Sequence, residues 1–157
     1  MTETDRRIAA TQGYVELGLY NEARREMQAL PREMFERAEV IELELLCLMG
    51  EQRWSEALAA AHQLCASAPT EPGGFIHAAY CLHEMKRTLE ALEVLKNGPK
   101  SLRTKAVYFY NMACYSARLG HAEEALRQLL RAFEMDASLR RLARRDPDLA
   151  DLRSLLM

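Results

Sequence analysis

The chain has no glycine-rich phosphate loop, no GxSxG elbow and no HExxH run. Three familiar signatures of nucleotide, acyl-transfer and zinc-protease chemistry are therefore missing. The Gly73-Gly74 pair follows Pro72 and fits a connecting loop better than a phosphate cradle. None of the four cysteines, Cys47, Cys65, Cys81 and Cys114, forms a CxxC pair. They lie inside apolar helical runs and read as small, reduced, buried hydrophobes. No apolar run approaches the ~18–20 residues of a membrane span, and the opening MTETDRRIAAT lacks the apolar core of a secretory signal. A charge excess is missing too: the formal net charge is -2, which gives no global pull toward nucleic acid or an anionic bilayer. These absences point to a cytoplasmic chain without membrane or nucleic-acid partners.

What is present is enough for one domain with a real core. The 157 residues are 49% hydrophobic and 28% charged, which is ordinary for a globular chain and argues against disorder. The stretch YNMACYSARLGHAEEALRQLLRAF at 110–133 joins two amphipathic runs at a tight turn around Leu119-Gly120. Stepping back from Ala125 by 34 residues lands on Ala91, Ala57 and Ala23, each preceded by a glutamate (Glu124, Glu90, Glu56, Glu22). The following column reads Leu126, Leu92, Leu58 and Arg24, and the one four past the alanine Leu129, Leu95, Ala61 and Met27. In the preceding halves, the columns Phe109/Phe75/Ile41/Arg7, Met112/Ala78/Glu44/Ala10, Ala113/Ala79/Leu45/Thr11 and Ser116/Leu82/Leu48/Tyr14 are offset by 3, 4 and 7. These offsets draw one helical stripe. A period kept over four copies marks a repeat architecture.

The pattern predicts helices at about 4–17, 20–30, 33–50, 54–67, 72–85, 88–97, 102–119 and 122–135. The turn glycine stands at Gly18 and Gly120 but is replaced by Gln52 and Lys86, so those turns either hold a left-handed non-glycine residue or take another shape. Gly50 suggests a longer second turn, and Glu44 in a core column suggests a register shift. Arg7 and Thr11 in core columns suit a terminal repeat with no preceding neighbour. Beyond the repeats, Leu139, Leu142 and Ala143 form one short apolar run and Leu149, Leu152 and Leu156 another. Asp146 is a good cap between them and Pro147 suits a first helical turn. This tail is expected to lid the fourth repeat.

The period, the small-residue columns, the alanine early in the second helix and the closing Pro69 resemble the tetratricopeptide repeat family. Pro31 and Pro99 come four residues earlier than its pattern, so those second helices should be short. The resemblance implies an all-α fold: a right-handed superhelical solenoid of about four helical hairpins plus short C-terminal capping helices. One domain would cover 1–157, with repeats at about 4–36, 38–70, 72–104 and 106–137 and a cap at 138–157. It also implies a concave groove for a peptide or helix of a protein partner. Carried over by position, the groove wall comprises Ile8, Gln12 and Val15 in the first copy and Glu39, Glu42, Leu46 and Met49 in the second. The third supplies Ile76, His77, Tyr80, His83 and Glu84, and the fourth Val107, Tyr110, Asn111, Cys114 and Arg118. Tyr80, Tyr110 and Met49 would be apolar anchors, and Asn111 would bond the ligand backbone. Some relatives clamp a carboxylate with groove lysine, arginine and asparagine. Only Asn111 and Arg118 match that set.

No catalytic or metal constellation emerges. His77 and Cys81 are one turn apart on a helix, but His83 points about 120° from His77 at ~100° per residue. Glu123-Glu124 at a helix start answers the macrodipole. The expectation is a non-catalytic interaction module or scaffold, with no metal and no cofactor. An alternative is a small secretion-type chaperone, because Phe75-Ile76-His77-Ala78-Ala79-Tyr80-Cys81-Leu82 looks similar to the central repeat of such proteins. Self-association through the groove or an end repeat would make the chain a homo-oligomer. Arg127, Arg131, Arg140, Arg141, Arg144 and Arg145 make the C-terminal end basic and could meet an acidic partner or nucleic acid; interleaved with Asp146, Asp148 and Asp151, they read first as a solvated cap face.

Overall fold

A computed structural model describes residues 1–156; Met157, the last residue of the expected cap, lies outside the described residues. The chain is all-α. Its helices are α1 (Glu3–Glu16), α2 (Tyr20–Gln28), α3 (Ala38–Gly50), α4 (Trp54–Ser67), α5 (Gly73–Glu84), α6 (Thr88–Lys96), α7 (Ala106–Arg118), α8 (Ala122–Met135), α9 (Leu139–Ala143) and α10 (Arg153–Leu156). Two compact units divide it, Met1–Pro69 and Thr70–Met157. In the N-terminal unit α1 pairs with α2 and α3 with α4. In the C-terminal unit α5 pairs with α6 and α7 with α8.

Each hairpin closes the same way. Gly18, Gln52, Lys86 and Gly120 have φ of 73°, 58°, 65° and 82°, so a left-handed residue recurs at every 34th position. The next residue's amide reaches back across each turn: Leu19 to the Tyr14 carbonyl, Arg53 to Leu48, Arg87 to Leu82 and His121 to Ser116, at 2.8–2.9 Å. This is the Schellman closure, which satisfies the last helical carbonyls. The glycine-less turns thus keep the common shape, with strain carried by Gln52 and Lys86. The second turn is no longer than the others, because Gly50 has a different task. A Cβ there would lie 2.1 Å from the Tyr20 ring, so glycine lets α2 approach α3. One turn later in each hairpin, Ala23, Ala57, Ala91 and Ala125 are all fully buried. Only a methyl fits where the two helices come close.

The helices expected at 33–50 and 102–119 are each two elements. Pro31 and Pro99 stop α2 and α6, and 3-10 turns follow at Arg32–Glu36 and Lys100–Thr104. Arg37 and Lys105 are extended and separate these turns from α3 and α7. Met34 and Leu102 fasten the two turns to the core. The elements α2, 3-10, α3, α4 and α6, 3-10, α7, α8 coincide at a shift of 68 residues, so the 34-residue repeat is organised in pairs.

The polar residues in core columns have local answers. Glu44 is not a register error, since the α3 core of Val40, Ile41, Leu43, Leu45, Cys47 and Leu48 keeps its face. Its carboxylate accepts from Arg24 Nη1 at 2.9 Å, and Arg24 also binds Glu51. Arg24 is the odd member of the leucine column, so two departures from the pattern neutralise each other. Thr11 is fully buried and donates its hydroxyl to the Arg7 carbonyl at 2.7 Å.

In the tail, Asp146 caps a 3-10 turn at Pro147–Leu152 by accepting from the Asp148 amide. Ala143, Leu149 and Leu152 are buried, and the turn packs on α7. Leu142 stays 53% exposed.

Candidate functional site

Each unit presents one trough along its first helices. In the N-terminal unit, Ile8, Gln12 and Val15 of α1 face Glu39, Glu42 and Leu46 of α3 around a cavity of about 240 Å³. Val40 and Cys47, one helical face away, are core, and Leu43 belongs both to the core and to the trough's lining. Alternation of these two faces along α3 sets which side chains line the trough. Met49 is half-buried.

In the C-terminal unit the trough is larger, about 450 Å³, and runs between α5, α7 and the tail. Of the residues placed there by resemblance, it gathers Tyr80, His83 and Glu84 from α5 and Val107, Tyr110, Asn111, Cys114 and Arg118 from α7. Ile76 and His77 are half-buried and do not line it. Tyr80 is 39% exposed and Val107 40%, whereas Tyr110 is 4% exposed. The difference comes from the tail. Tyr110 Oη donates to Asp146 Oδ2 at 2.7 Å, beneath the 3-10 turn. Burial, and then the bond to Asp146, hold the Tyr110 phenol well above its ordinary pKa. Cys114 Sγ reaches the same oxygen at 3.6 Å, and burial followed by the Asp146 charge pushes its thiol up.

His83 is the most closely fitted polar group of this wall. Its Nδ1 lies 2.9 Å from Thr88 Oγ1, its Nε2 2.8 Å from Asp148 Oδ2, and its ring 4.8 Å from that of Tyr115. Arg118 Nε approaches Asp148 Oδ1 at 3.4 Å. Hydroxyl, imidazole and carboxylate in line are the parts of a nucleophilic relay, an alignment that separate sequence stretches did not show. Here Arg118 shares the carboxylate, which weakens the stabilisation Asp148 would give an imidazolium. The alignment fixes the tail onto α5 and α7.

Asp146 and Asp148 were missed as members of this site. As an N-cap and a first-turn residue of a short helix they had a sufficient local explanation, and no nearby residue pointed 65 positions back to His83. Cys114, Asp146 and Asp148 also bring potential ligand atoms within 4.8 Å of one another. Each of the four carboxylate oxygens already has a protein partner: the Asp148 amide, Tyr110, His83 and Arg118. The stretch Phe75 to Leu82 lies in α5, where Ala78, Ala79, Cys81 and Leu82 are buried.

No family model matches the chain, and no curated protein matches it. Among solved structures it is similar to "MamA MSR-1 C2", with a TM-score of 0.68 and 16% identity over 87% of this chain and 79% of that one. A mutant form of MamA aligns with a TM-score of 0.66 and 17% identity, covering 86% of this chain and 78% of the other. MamA is a tetratricopeptide-repeat protein, and at these identities the likeness speaks for the fold. Four hairpins closed by the same left-handed turn at a 34-residue interval, together with this likeness, show that the chain has the tetratricopeptide-repeat fold.

Proposed function

We propose that the chain is a non-catalytic interaction module whose troughs hold a peptide or helix of a protein partner. The observation that carries this reading is the wall of the C-terminal trough, where Tyr80 and Val107 leave apolar surface exposed beside polar Asn111 and Arg118. Exposed apolar area ringed by hydrogen-bonding groups is what a peptide-binding surface offers. Tyrosine is suited to it, since its ring gives contact area at low entropy cost and its hydroxyl stays wet. In this reading Arg118 orients the ligand, Asn111 bonds its backbone, and His83, with both ring nitrogens engaged, gives its ring to the wall. Glu42 and Leu46, with Met49 at the margin, form the corresponding wall of the N-terminal unit; Ile76 and His77 border the C-terminal one. Tyr110 contributes by holding the tail. A scaffold of this kind works in the cytoplasm and needs no cofactor.

The test is a displayed peptide library selected on the full chain. Selected peptides should bind Tyr80→Ala at least tenfold more weakly than the wild type, with helix content unchanged. Equal affinity for both chains would remove this wall from the account.

A further inference from the structure

One wall of the C-terminal trough is the chain's own C-terminal segment. Residues 146–152, Asp-Pro-Asp-Leu-Ala-Asp-Leu, lie along α7 as a short extended-then-turned segment. Their side chains use the groups that the wall presents. Asp146 takes the Tyr110 hydroxyl and Asp148 takes His83 and Arg118, while Leu149 and Leu152 are buried behind them. Recognition here is of two carboxylates two residues apart, followed by leucine, read by a phenol, an imidazole and a guanidinium.

The segment is preceded by a run of arginines. Arg141, Arg144 and Arg145 are exposed and have no carboxylate partner among the described residues; Arg140 stacks over Phe133 at 4.7 Å. They present an unneutralised basic collar next to the segment, adjoining the trough at Leu142, and the trough's donors already bind carboxylates. A foreign acidic segment would be drawn by the collar and would find the same donors as the resident one.

We propose that residues 146–152, which wall off the C-terminal trough, are a resident segment on the donors Tyr110, His83 and Arg118, and that the partner is an acidic segment of a protein with the Asp-x-Asp-Leu pattern, which displaces them from those donors. This rests on the reading of the trough as a peptide site. The resident segment lowers the apparent affinity by the fraction of time it occupies the site, so partners compete with it.

The probe is a fluorescent synthetic peptide with the sequence of residues 145–153, and a control in which its aspartates are asparagine. The full chain carrying Asp146→Asn and Asp148→Asn keeps the caps but loosens the resident segment. It should bind the acidic peptide at least tenfold more tightly than the wild type does, and the asparagine control at least tenfold more weakly. In the wild type, saturating peptide should raise amide hydrogen exchange across 146–152 while α7 stays protected. This second readout holds even if the double variant folds poorly. Overturning results are equal binding of the acidic and asparagine peptides, or residues 146–152 that stay protected under saturating peptide. Displacement of the bound peptide by a single-stranded oligonucleotide would also overturn it, assigning the collar to nucleic acid. If library peptides lose affinity on Tyr80→Ala yet the acidic peptide does not compete with them, the peptide site stands and this inference falls. If library peptides ignore Tyr80→Ala, both fall.

Discussion

The N-terminal and C-terminal units carry the same elements at a shift of 68 residues, yet their troughs differ. In the first, Glu16, Glu39 and Glu42 border a cavity of about 240 Å³ whose apolar floor is Ile8, Val15 and Leu46. In the second, tyrosines, a histidine and an arginine surround about 450 Å³, and one wall comes from the tail. Skeleton and lining are therefore separable. The skeleton is set by the fixed columns, Ala23 with Ala91 and Ala57 with Ala125, and by the left-handed turn. The lining is set by residues on the first helix of each hairpin, beside its core stripe, which the skeleton leaves free to vary.

The largest effect that separates the units should come from Leu149→Ala. Leu149 is fully buried, and emptying such a site costs about 2–5 kcal/mol. Exchange protection should fall in the tail and α7 while α1 to α4 keep theirs; uniform loss across both units would show that the tail is not local to the C-terminal trough. A smaller effect should appear in the N-terminal unit. Arg24→Ala strands Glu44, leaves Glu51 with Arg53 alone, and should lower stability by about 1–2 kcal/mol in urea unfolding. Arg24→Leu combined with Glu44→Leu, which restores both apolar columns, should recover most of that loss. A double variant as weak as the single one would mean the ion cluster does more than fill two columns. The smallest effects should come from the turns, where the units each have one glycine and one strained residue. Gln52→Gly and Lys86→Gly should each raise stability by about 1 kcal/mol, and Gly18→Ala and Gly120→Ala should lower it by a similar amount. Thermal unfolding of the four variants checks the sign at each turn.

Much of this was legible in the linear chain because repeats are local. A hairpin needs only its own columns, so Ala125, Glu124 and Leu129 carried the period before any coordinate was known. The two helices that broke into a 3-10 turn plus a helix were less legible. Pro31 and Pro99 announced where the preceding helix ends, but the extended Arg37 and Lys105 have no local signature. Arg24 and Glu44 looked like flaws in two columns until their side chains met. Tyr110 belonged by position to the trough, and its covering by Asp146 was invisible in sequence.

The amino-acid order by itself determined the helical hairpins, their period and the turn that closes them, because each depends on residues within a few positions of one another. Tertiary structure alone decided what lies in the C-terminal trough. His83, Tyr110 and Arg118 meet Asp146 and Asp148 only after α5, α7 and the tail have packed, and a contact across 65 positions is set by that packing and by no periodicity.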